Sequence, residues 1–248
     1  MTGLIYNEFK QNKIYIFLIT AAAALAVIFP VLFYITFEDK SMYAVLADLT
    51  KNSGTKRAPF LILGFVAAGA LQGLTMKGND RKTWSYFVSS VPQGFRGYIR
   101  IKYEMILSMS LLMLVSCIFF DDVLCSVVYS VTERDLASAA SSFTMFFYIQ
   151  ILLRAAELPF LIRFGLKTGS LIKTIIILTG VVIISVLMVF NPCDVMMRIS
   201  EFIINQNKLG DTGRLLLYSF PFAAAAAYFM SYKISCKLYM KGAEHYDK

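Results

Sequence analysis

Residues Ile14–Phe37 read IYIFLITAAAALAVIFPVLFYITF, with no acidic, basic or amide side chain anywhere in the stretch. A run of this length matches the roughly 20 apolar residues needed to cross a hydrocarbon core about 30 Å thick. It exceeds the apolar region of about 7–15 residues in a cleavable signal peptide, so it reads as a retained spanning helix, with a kink expected at Pro30. Five further apolar blocks follow, at 58–76, 103–120, 139–164, 171–190 and 215–232. Six blocks nearly exhaust 248 residues and leave no room for a separate soluble domain. The composition agrees: 58% hydrophobic, 16% charged, mean hydropathy +0.64. A soluble domain runs near 45–50% apolar and 25% charged. Within hydrocarbon the backbone must satisfy its own hydrogen bonds, and blocks this continuous are helices rather than barrel strands.

Charge sets the orientation. Lys10 and Lys13 precede the first block; Lys77, Arg81, Lys82, Arg96, Arg100 and Lys102 follow the second; Arg163, Lys167 and Lys173 follow the fourth; Lys233, Lys237, Lys241 and Lys248 close the chain. Those fifteen fall on one side, whereas Lys40, Lys51, Lys56, Arg57, Arg134, Arg198, Lys208 and Arg214 fall on the other. The basic excess marks the cytoplasmic face, which puts both termini in the cytoplasm. The net charge of +8 is thereby explained without nucleic acid. Asp121, Asp122, Glu133 and Asp135 share one external loop, with Asp121-Asp122 read as a solvated pair that closes the third helix. The longest external connections, around 38–57 and 191–214, are read as loops.

The resulting expectation is an all-α membrane protein of six transmembrane helices. A helix over 1–13 lies along the interface, with Ile5 and Phe9 on one face. Two alanine runs, Ala21–Ala24 and Ala223–Ala227, either let neighbouring helices approach closely or serve as plain helix-forming residues.

Several chemistries are missing. The only histidine is His245, near the C-terminus, and there is no HExxH, GxSxG or GxxxxGK[ST]. Cys117, Cys125, Cys193 and Cys236 stand singly, without a metal-binding spacing. They are free thiols, or Cys125 and Cys193 bridge outside the membrane. No catalytic, metal or cofactor site is expected in this chain.

Two segments do carry chemical information. Arg154 and Glu157 lie three apart in the fourth block, on one helix face. Arg154 precedes Arg163 by nine residues, about 13 Å along a helix, which places it near mid-membrane. Charges at that depth are costly unless paired. Two readings stand, a structural ion pair or a gate lining a substrate path.

The second segment is the loop 77–102, starting KGNDRKTWSYFVSSVPQGFRGYIRIK. Asn79 or Asp80 is placed to cap a short helix. Trp84, Phe87, Val88 and Val91 recur at i, i+3, i+4 and i+7, a single apolar stripe. Arg81, Lys82, Ser85 and Ser89 surround it, and Pro92 with Gly94 ends it. Such a helix either rests in the lipid interface or docks a cytoplasmic partner.

Here the sequence resembles ABC-2-type transporter permeases. The resemblance rests on Asp80-Arg81-Lys82, the aromatic stripe, Ser90-Val91-Pro92, the basic linker and Lys102-Tyr103. A second run, Pro159-Phe160-Leu161-Ile162-Arg163-Phe164-Gly165-Leu166-Lys167, is similar to the proline, aromatic, basic, Phe-Gly run of that family. Val91 departs from the more usual leucine.

The resemblance implies the membrane subunit of an ATP-driven exporter in the bacterial plasma membrane. Two copies, or one copy and a paralogue, would pair and dock a separate ABC ATPase, which binds ATP and Mg. The loop helix would couple the two subunits, with Trp84, Phe87 and Val88 anchoring it and Val91 also part of the coupling site. Arg81, Lys82, Ser85 and Tyr86 would face the ATPase. Permeases of this size that the chain resembles are linked to export of, or immunity to, amphipathic or hydrophobic peptides, toxins or antibiotics. A competing reading is the substrate-capture subunit of an energy-coupled small-molecule importer, which would hold a small ligand without an ATPase.

Overall fold

The computed structural model describes residues 2–37, 41–51, 53–75, 94–164, 171, 174–175, 178–180 and 211–243. Among these residues the structure is helical, with no strand. The principal helices are α1 (Thr2–Phe37), α2 (Met42–Lys51), α3 (Ser53–Leu74), α4 (Gly94–Thr132), α5 (Ala140–Phe164) and α6 (Asp211–Ala243). Three have stretches long and apolar enough to cross a membrane: Phe9–Thr36, Arg96–Thr132 and Ala140–Arg163. A shorter apolar stretch, Pro59–Leu74, lies in α3. Large apolar side chains point outward along α1, among them Phe17 at 71% exposure, Leu25 and Leu32. In water such a surface favours aggregation, whereas lipid accepts it.

Hydroxyl groups on these helices bond back to their own backbone. Thr20 donates to the carbonyl of Phe17 at 2.8 Å, Thr36 to that of Leu32 at 2.9 Å, and Thr144 to that of Ala140 at 2.9 Å. A polar group facing hydrocarbon has no water to bond, so the nearest carbonyl of its own helix serves.

The helix boundaries differ from the sequence reading at four places. First, α1 runs unbroken from Thr2, so residues 2–13 and the first apolar block are one helix. Second, the stretch 38–57, expected as a loop, contains all of α2 and the start of α3. Ser41 starts α2: its Oγ accepts from the Ala44 N–H at 3.4 Å and its carbonyl from the Val45 N–H at 3.1 Å. This short helix buries Val45, Leu46 and Leu49. Third, α4 spans 39 residues, beginning nine before and ending twelve after the expected 103–120. At 1.5 Å per residue it is about 58 Å long, well beyond the hydrocarbon core. Fourth, α6 is 33 residues long and extends past the expected 215–232 at both ends.

By contrast, α5 begins within one residue of the expected 139–164, and Pro159 sits inside it without ending it. The loop helix over 80–91, His245 and Cys193 lie outside the described residues, as does most of the fifth apolar block.

Two compact units form. Of the described residues, one holds the start of α1 to Phe9, those between Gly73 and Leu107, and those from Tyr148 onward; the other holds those within Lys10–Gln72 and Ser108–Phe147. In the second unit α1 and α3 approach closely at Gly64, where an added Cβ would lie 2.3 Å from the Ala26 Cβ. Only a residue without a side chain fits there, and the contact lies next to the alanine run of α1. One turn earlier, the Phe60 ring packs among Phe29, Phe33 and Tyr34 at centroid distances of 5.3–6.2 Å. On α5, Phe143 and Phe146 meet Phe65 at 6.5 and 5.1 Å.

Candidate functional site

In the first unit, α5 carries the two ionisable residues singled out from the sequence. Arg154 Nη1 donates to Glu157 Oε2 at 2.5 Å, and the two side chains are 2% and 4% exposed. Arg154 is the largest fully buried side chain among the described residues. Their spacing of three follows from helical geometry: one turn brings the guanidinium over the carboxylate. Gly73 lies beside the guanidinium, with its ideal Cβ position 3.7 Å from Nη1, an ordinary contact distance.

The same unit holds a buried cluster of Leu158 and Leu161 from α5, Tyr98, Ile99, Tyr103 and Ile106 from α4, and Cys236 from α6. Within it runs a polar ladder that joins α4 to α6. The Tyr103 hydroxyl lies 2.7 Å from both Ser231 Oγ and Ser235 Oγ, four residues apart on one face of α6. Tyr228, one turn before Ser231, donates its hydroxyl to the Tyr103 carbonyl at 2.7 Å. The Tyr103 ring meets Tyr228 and Tyr232 edge-on, at 5.1 and 5.5 Å. This ladder was not anticipated. Its sequence signal is the i, i+3, i+4, i+7 recurrence of Tyr228, Ser231, Tyr232 and Ser235, a semi-polar stripe on an otherwise apolar helix.

The second unit contains an ion pair that the sequence reading placed in solvent. Arg57 Nη2 donates to Asp121 Oδ1, and the side chains are 3% and 1% exposed. Asp121 Oδ2 accepts from the Ala139 N–H at 2.8 Å and from Ser138 Oγ at 3.1 Å, while Arg57 Nη1 donates to the Ala137 carbonyl at 3.3 Å. Of the acidic pair expected to face solvent and end the third helix, only Asp122 is exposed; Asp121 is buried and α4 continues past it. The correction has a simple cause: a carboxylate that accepts three donors, one of them cationic, tolerates burial within a helix. Nearby, Lys56 pairs with Asp48 of α2 and lies 4.5 Å from the Tyr34 ring centroid.

Cys117, Cys125 and Cys236 are free thiols, so Cys125 is not bridged. Among the described residues no three His, Cys, Asp or Glu side chains gather as a metal site would require. The expected partner-facing residues Arg81, Lys82, Trp84, Ser85, Tyr86, Phe87, Val88 and Val91 lie outside the described residues.

Among the described residues, fold and site define a helical protein with three helices long and apolar enough to cross a membrane and a buried ion pair in each of its two units. Comparison of the chain with protein-family models, curated proteins and solved structures finds no match in any of the three.

Proposed function

We propose that this chain is the membrane-spanning permease subunit of an ATP-driven exporter. In this reading it crosses the bacterial plasma membrane six times with both termini in the cytoplasm, and it pairs with a second copy or a paralogue. A separate ABC ATPase supplies ATP and Mg binding and docks on the loop helix Asp80–Val91. The cargo is an amphipathic or hydrophobic peptide, toxin or antibiotic, and the chain carries out no hydrolysis of its own.

The observation that carries the reading is the segment 77–93, whose motif resembles that of ABC-2-type permeases. It connects two apolar helices, α3 ending at Leu74 and α4 starting at Gly94. A stiff helix on each side of a docking loop is what converts a partner's movement into movement within the membrane. The Arg154–Glu157 pair adds support, because buried charge in an apolar helix marks function by default.

The test is to purify the protein in mild detergent from its native host. A stoichiometric ABC ATPase, stimulated by amphipathic peptides, is the expected companion. A partnerless protein that retains a small ligand would replace the exporter with a capture subunit. Trp84→Ala with Phe87→Ala is expected to weaken docking by about 2 kcal/mol per anchor, about thirtyfold each. Unchanged peptide-stimulated ATPase activity would remove the coupling role from this helix.

A further inference from the structure

The connection between α4 and α5, Glu133–Ala139, is tied down at several points although five of its seven residues, Glu133, Arg134, Asp135, Ala137 and Ser138, are exposed. The Leu136 side chain is buried at 7% exposure. The Leu136 carbonyl accepts from Cys125 Sγ of α4 at 3.7 Å, the Ala137 carbonyl from Arg57 of α3, and Ser138 with the Ala139 N–H bond Asp121 of α4. A segment held by one ion pair from two different helices is a strap across the end of α4.

Two features show that the fastened state is costly. Glu133, where the strap leaves α4, has φ of +53°, a left-handed conformation that is strained for a residue with a Cβ. Arg57, only 2% exposed, has its buried Nε–H without a hydrogen-bond partner among the described residues. A buried donor left unpaired gives up the hydration it had in water and gains nothing in return. One cost falls on the strap itself and the other on the α3 residue that holds it. They are offset by the Arg57–Asp121 pair and the strap's bonds to it.

We propose that residues 133–139 form a strap poised to open, with Arg57–Asp121 as its latch. Opening returns Glu133 to an ordinary backbone conformation, lets the Arg57 Nε–H reach a new acceptor, and uncovers the half-buried Cys125 thiol. The device lies within the second unit and holds whether or not the chain is a permease.

Cys125 supplies the readout. In detergent-purified protein with Cys125 as its only cysteine, the rate of reaction with a polar maleimide measures opening. A minor open state populated at about 0.1–10% leaves room for Asp121→Asn to raise that rate about tenfold or more. Ser138→Ala, a milder change, is expected to raise it several-fold. Glu133→Gly relieves the left-handed strain and is expected to slow it. Cys117, fully buried on the same helix, is the control in a parallel single-cysteine protein. Its rate is expected to stay unchanged in all three variants. Three results would each overturn the strap: rapid Cys125 labelling in the parent protein, no response to Asp121→Asn and Ser138→Ala, or an equal rise at Cys117, which means general loosening.

Discussion

Arg154 and Glu157 meet across one turn of α5, whereas Arg57 and Asp121 meet across 64 residues of chain. Both pairs are buried and both join a guanidinium to a carboxylate, yet they do different work. The local pair forms wherever its helix forms, because helical geometry alone brings residues three apart together. It neutralises two charges that an apolar helix would otherwise carry bare. The distant pair forms only when α3 and α4 are already packed, and Asp121 then also holds the connection into α5 through Ser138 and Ala139. The local pair therefore makes burial of its own helix tolerable, while the distant pair decides which segments are joined.

The sharpest way to break that contrast is Asp121→Ala. It leaves Arg57 buried without its counter-charge and releases the Ser138 and Ala139 donors, so a loss of about 3–5 kcal/mol is expected. Thermal unfolding in detergent reads it, and a loss no greater than that of the local pair's variants would erase the distinction. Glu157→Ala comes next, at about 3 kcal/mol, since Arg154 stays buried but no connection between segments is cut. Its companion sharpens the point. Replacing both residues, as Arg154→Met with Glu157→Leu, is expected to recover the parent melting temperature or exceed it, as buried pairs exchanged for apolar residues often do. If the double variant is as unstable as Glu157→Ala, the pair contributes more than mutual neutralisation.

The smallest expected effect is Tyr103→Phe, which keeps the ring and removes the hydroxyl between Ser231 and Ser235. Interhelical hydrogen bonds in membrane proteins average about 0.6 kcal/mol and reach about 1.7, so a loss of about 1 kcal/mol is expected. A loss as large as that of Asp121→Ala would mean that neutral hydroxyls, rather than ion pairs, hold the helices together.

Legibility from sequence followed the same division. The start of α5 was readable to within one residue because an apolar run carries its own boundary, and the Arg154–Glu157 spacing because it is a helical period. The end of α4 was not. Asp121-Asp122 reads as a terminus when each carboxylate is assumed to need water, and nothing near position 121 announces that Arg57 will replace that water. The short α2 was missed for a related reason: ten residues do not make a stable helix alone, and Val45, Leu46 and Leu49 gain their burial only from neighbours. The motif residues Arg81–Val91 remain a sequence argument, since they lie outside the described residues.

By itself the sequence determined that this chain is helical and suited to lipid, because apolar length and the need to satisfy backbone hydrogen bonds are properties of each segment alone. It likewise determined that Arg154 and Glu157 share a face. Tertiary structure alone decided that Asp121 is buried, that α4 runs on to Thr132, that Gly64 admits Ala26, and that Tyr103 reaches two serines on α6. In each of these cases the free energy of a residue depends on a partner far along the chain, and that partner is chosen only when the helices pack.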